Sequence, residues 1–117
     1  MRCLWQNSTA FLRVLNALEN IRSSIQLNER ALTARVVQND IVLLRLSGRE
    51  LQDAIRVLAD ADLHQDAAAL LREARALLLQ AIDTRDRERV QEAILRQKSA
   101  RALICELGTD DVLCPDH

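Results

Sequence analysis

The chain has 117 residues, of which 49% are hydrophobic and 28% charged, and its formal net charge is −1. That length suits one globular domain, and the hydrophobic content excludes an intrinsically disordered chain. The balance of 16 basic and 17 acidic residues gives no overall field favouring nucleic acid or an anionic membrane, and Trp5 and Phe11, the whole aromatic complement, leave few stacking platforms for single strands.

Leu and Ala are abundant, at 21 and 16 residues, whereas the backbone breakers are only Gly48, Gly108 and Pro115. Strong helix formers without breakers predict helix along nearly the whole chain. The expected fold is all-α: an antiparallel up-down helical bundle of four helices, or five if the first half is broken. Residues 1–108 form the single bundle domain and 109–117 an irregular tail. No apolar run reaches the ~18 residues that span a bilayer, so no membrane insertion is expected. Met1–Ser8 has one Arg and no apolar stretch, which does not match a secretory signal and points to the cytoplasm.

Asn7 or Ser8 can cap a first helix. Leu4, Phe11, Leu18 and Ile25 recur every seven residues with Val14 and Ile21 between them, a stripe that faces one partner surface. The stripe blurs at Gln26–Glu29 and resumes at Leu32, Val36, Val37, Ile41, Leu43, Leu44 and Leu46. One long helix over 8–46 is preferred to two joined near Asn28, because no breaker intervenes. Ser47-Gly48-Arg49-Glu50 reads as the clearest junction, either a glycine stop or a Ser47 cap with Glu50 completing a capping box.

After it, Leu51, Ala54, Ile55 and Leu58 share a face. Asp60–Gln65 reads as a connection, with Asp62 and Gln65 at capping-box spacing. A helix over 65–83 follows, with Leu70, Leu71, Ala74, Leu77, Leu78, Ala81 and Ile82 as its apolar set. Apolar over most of its circumference, it should sit centrally or contribute to an oligomer face. Thr84 or Asp86 caps a last helix over 87–107, whose inner face uses Val90, Ala93, Ile94, Gln97, Ala100, Ile104 and Leu107 before Gly108 stops it.

Up-down topology would bring Cys3, Cys105 and Cys114 to one pole, as a disulfide in an oxidising compartment or as a redox cluster. An odd count and the lack of a signal favour buried or free thiols. Cys105, Cys114 and His117 lack the spacing of a chelating pair and a fourth ligand, so no metal is expected. His64 lies among Asp60, Asp62 and Asp66, a set read as a solvated turn. Arg85, Arg87, Arg89, Arg96 and Arg101 are interleaved with acids as a salt-bridged face. No phosphate loop, G-x-S-x-G or H-E-x-x-H is present, and neither catalytic residues nor a cofactor are expected.

The expected function is therefore a non-enzymatic interaction module that forms a homodimer or receives a helical protein partner in an apolar groove. Its interaction face is Phe11, Leu15 and Leu18, or Leu71 and Leu78. The alternative is an extracytoplasmic ligand-sensing bundle with a disulfide tethering its tail. Segments such as Ala74–Leu107 resemble the Leu/Ala/Arg hairpins of helical secretion chaperones and equally those of bacterial receptor bundles, without a motif that separates the two.

Overall fold

Four helices make up the described backbone: α1 Thr9–Thr33, α2 Val37–Ala61, α3 Gln65–Thr84 and α4 Arg87–Val112. The computed structural model describes residues 9–34, 37–61 and 64–112, and the side chains of 12–34, 40–60 and 64–105. α1 packs on α2, α2 on α3, α3 on α4 and α4 back on α1, with no diagonal pairing among the described residues. Along the α3–α4 seam the pairs run in opposite chain directions, and the α1–α2 and α1–α4 seams are tied by buried polar pairs. Gln80 meets Arg89 and Glu73 meets Arg96, while Ser24 meets Ser47 and Asn28 meets Gln97. This is consistent with the expected up-down order. The principal extents are 50 × 25 × 18 Å. The long dimension exceeds the ~37 Å of a 25-residue helix at 1.5 Å per residue.

Each helix contributes one apolar stripe at helical spacing. Val14, Ala17, Ile21 and Ile25 are buried from α1, and Leu44, Leu51, Ala54, Ile55 and Leu58 from α2. Leu71, Ala74, Leu78 and Ala81 are buried from α3, and Val90, Ala93, Ile94, Ala100 and Ile104 from α4. The expected inner faces of α2, α3 and α4 are thus found buried or packed against the core, apart from Leu107, which lies outside the described side chains. α3 is not central: it packs on α2 and α4 and leaves Ala69, Ala76 and Leu79 exposed.

The junctions depart from the sequence reading. The first half is two helices, and the break falls after Thr33, not near Asn28 or at Gly48. Asn28 is fully buried and hydrogen-bonded to α4, so its polar side chain stitches the helix into the bundle and does not loosen it. At the end of α1, Thr33 Oγ1 donates to Arg30 O at 3.0 Å and Ala34 N–H to Ala31 O at 3.3 Å, a tightened last turn that needs no glycine.

Ser47 and Gly48 lie inside a continuous α2; Ser47 is buried against α1 and caps nothing. α4 likewise continues through Gly108 to Val112. A mid-helix glycine costs about 1 kcal/mol relative to alanine, which a packed helix tolerates.

The N-cap of α3 is His64, in the left-handed region at φ 51°, ψ 55°, with no side-chain cap; Asp62 lies outside the described residues. At α4 the Asp86 alternative holds: its Oδ1 accepts from Glu88 N–H at 3.0 Å, whereas Thr84 ends α3 and donates to Gln80 O at 2.8 Å.

Candidate functional site

The core contains one polar layer, made by Ser24 and Asn28 of α1, Ser47 of α2 and Gln97 of α4, all fully buried. The two serines let α1 and α2 approach until their hydroxyl oxygens are 2.6 Å apart and each lies 3.0 Å from the other residue's carbonyl. Each hydroxyl has one proton, so one serine donates to its partner's hydroxyl and the other to a carbonyl. Gln97 Nε2 donates to Ser24 Oγ at 2.6 Å, and Asn28 Nδ2 donates to Gln97 Oε1 at 2.7 Å.

The hydrogen-bonded series ends at Asn28 Oδ1, which is buried without a partner among the described residues. Turning over both amides would reverse the series and leave Asn28 with an unmatched donor in place of an unmatched acceptor. Either way the layer is one partner short. It fixes the register of three helices but offers no nucleophile or titrating group. Sequence reasoning placed Gln97 on the inner face but gave no partner for it.

Several cavities open between helices; one of about 660 Å³ places Asp83 and Arg85 beside Arg45, Leu79 and Ile82, and two others bear on binding. The first, about 450 Å³, runs along the α2–α3 seam. Its accessible apolar surface is Leu79 and Ile82, over the buried Leu44 and Leu78, and Gly48 lines it from α2. A Cβ at Gly48 would meet nothing within 4 Å, so neither close packing nor a positive φ requires glycine there. Arg45, Arg49, Arg56 and Arg75 rim this groove against the single carboxylate of Asp53. Among the described residues none of these four arginines has an ion pair; the salt bridges formed are Arg22–Glu19, Arg89–Asp86, Arg96–Glu73 and Lys98–Glu29.

The second cavity, about 380 Å³, lies at the pole where the α1–α2 and α3–α4 connections meet, and shares Leu44 and Ile82 with the groove. Aliphatic side chains line most of it, with Asp40, Arg85, Asp86 and Arg87 at the edge. Asp86 is committed to Arg89 and to capping α4. Among the described residues, Asp40 Oδ1 is buried with no hydrogen-bond partner. Arg85 holds φ 60°, ψ 34°, a left-handed conformation that glycine or asparagine adopts at lower cost, while its N–H caps Ala81 O at 2.8 Å.

Comparison of the chain with family models, curated proteins and solved structures finds no match. Its geometry must therefore carry any functional reading.

The structure separates the residues expected to form an interaction face. Leu71 and Leu78 are almost wholly inaccessible, spent on the intramolecular core, which corrects their assignment to a partner surface. Leu15 and Leu18 are half-buried on α1, beside Leu12 at 60% exposure; the side chain of Phe11 lies outside the described residues. Cys105 is half-buried on α4 with a free thiol, whereas Cys3, Cys114 and His117 lie outside the described side chains. His64 is half-buried and its pKa is lowered by desolvation, while Asp60 and Asp66 are exposed. Among the described residues no three His, Cys, Asp or Glu side chains converge as metal ligands. No helix of the described residues is long and apolar enough to cross a membrane.

Of the basic run, Arg89 and Arg96 are paired as a salt-bridged face requires. The rim of Arg45, Arg49, Arg56 and Arg75 escaped the sequence reading because its members come from two helices. The i, i+4 spacing of Arg45 and Arg49 with Gly48 between them was the available signal.

Proposed function

We propose that the chain is a non-enzymatic interaction module whose α2–α3 groove receives a helix of a protein partner. The observation that carries this is the groove itself: an apolar floor with Leu79 53% exposed, left open at Gly48 where nothing else needs a glycine. Helix-in-groove recognition uses an apolar floor read by anchors at i, i+3, i+4 and i+7. From Arg45 to Arg56 the groove runs about 16 Å, room for about three helical turns. Gly48→Leu tests this. Its Cβ has open space and the rest of the side chain adds bulk to the groove lining, so the fold should persist by circular dichroism while capture of a leucine-bearing helical peptide is lost. Unchanged capture would remove the groove from the reading. Self-association is the homomeric form of the same proposal, and the sector of α1 carrying Leu12, Leu15 and Leu18 is its candidate face.

The cavity at the pole of the helix connections favours a second reading, a ligand-sensing bundle. Asp40 supplies an unmatched acceptor, Arg85 a cation, and the aliphatic lining an apolar slot. That chemistry suits a small zwitterion with an aliphatic side chain. Calorimetry with L-leucine on the wild type and Arg85→Gly checks it. Binding should occur and be lost in the variant, which is otherwise relieved of its left-handed strain. No heat with the wild type at millimolar leucine would refute it.

A further inference from the structure

Resting on the groove reading, we infer that the partner segment is acidic: an amphipathic helix with leucine-type anchors flanked by Asp or Glu. The charge of the groove opposes that of the chain. Overall the protein carries net charge −1, yet four arginines gather here around one carboxylate. Elsewhere the described arginines and lysine include four engaged with carboxylates, whereas none on this rim is.

Successive arginines along α2 are about 6 to 10 Å apart along the helix axis, close to the ~8 Å Debye length at physiological salt, so a docked helix meets them as one field. Guanidinium groups bind carboxylates in bidentate fashion, and here Asp53 cannot satisfy all four. Gly48 adds an independent point. Lying between Arg45 and Arg49, it lines the same groove without a side chain, so apolar and ionic recognition share one site.

The test uses the full chain and two labelled synthetic 18-residue helices, read by fluorescence anisotropy. Both carry leucine at i, i+3, i+7 and i+10; one is flanked by glutamates and the other by lysines. Since the chain as a whole is slightly acidic, preference for the glutamate peptide reports the rim and not the net charge. Exposed ion pairs are individually weak, so several together should give about a tenfold preference, shrinking as salt is raised. Arg49→Ala/Arg56→Ala, both exposed positions, should abolish the preference without loss of helix signal.

Equal binding of the two peptides overturns the acidic inference but leaves the groove reading standing, provided that Gly48→Leu abolishes both. If neither peptide binds, both statements are overturned. Complete displacement of the glutamate peptide by about 1 mM sodium citrate overturns the assignment to a helix and makes the rim a small-anion site.

Discussion

At the residue scale, Gly48 and His64 illustrate how one position can carry a cost that its helix does not need. Gly48 sits inside α2 with open space where a Cβ would go. Gly48→Ala is therefore expected to raise stability by about 0.5–1 kcal/mol, measured as a higher denaturation midpoint with unchanged slope. His64 is half-buried in a left-handed conformation, and desolvation lowers its pKa from 6.5. The unfolded chain thus takes up a proton near pH 6.5 that the folded chain resists. Stability is fully present above that pH and falls as the pH drops through it towards the folded value. His64→Asn, which tolerates the left-handed conformation and does not titrate, should lose less melting temperature than the wild type between about pH 7.5 and about pH 5.5. Equal losses would show that His64 is not the group responsible. Leu71 belongs at this scale too. It is a core residue, so Leu71→Ala should cost about 2–5 kcal/mol of stability, a loss read in denaturation and not in association.

At the element scale, the buried polar layer sets how α1, α2 and α4 slide against one another. Apolar stripes of Leu and Ala tolerate more than one register, whereas Asn28–Gln97 and Gln97–Ser24 hydrogen bonds form at only one. Gln97→Leu alone strands the Asn28 amide entirely and is expected to cost about 1–3 kcal/mol. Adding Asn28→Leu removes the stranded group, so the double variant should recover most of that loss. A double-mutant cycle in urea measures the difference, and additive losses would contradict the coupling. The helix stripes of 51–58, 70–82 and 90–104 were legible from spacing, because burial follows the 3.6-residue period. The helix ends were not. Glycine was read as punctuation at 48 and 108, yet both lie within helices. Packing on neighbouring helices outweighs a propensity cost of about 1 kcal/mol, and α1 ends after Thr33 without glycine or proline.

At the scale of the whole molecule, the exposed large apolar residues among the described side chains, Leu12, Val42, Leu46, Leu79 and Leu95, are shared among all four helices. Scattered leucines are ordinary on a monomer surface, so the self-association proposal rests on the α1 sector alone. Light scattering at micromolar concentration should give twice the 13.2 kDa chain mass, falling to the single mass in Leu12→Glu/Leu15→Glu; a wild-type monomer would end that proposal. The same sample, weighed intact with and without reductant, tests the disulfide. A mass increase of about 2 Da on reduction establishes an intramolecular bond, and no change eliminates it. By itself the sequence determined the helical class and the inner faces of the helices, since both follow from local propensity and periodicity along one helix. Only tertiary structure decided that Leu71 and Leu78 are core, that Ser24, Asn28, Ser47 and Gln97 meet, and that four arginines from two helices rim a single groove. Those facts depend on which helices are neighbours and at what register, and that choice is made by contacts between residues as many as 73 positions apart in the chain.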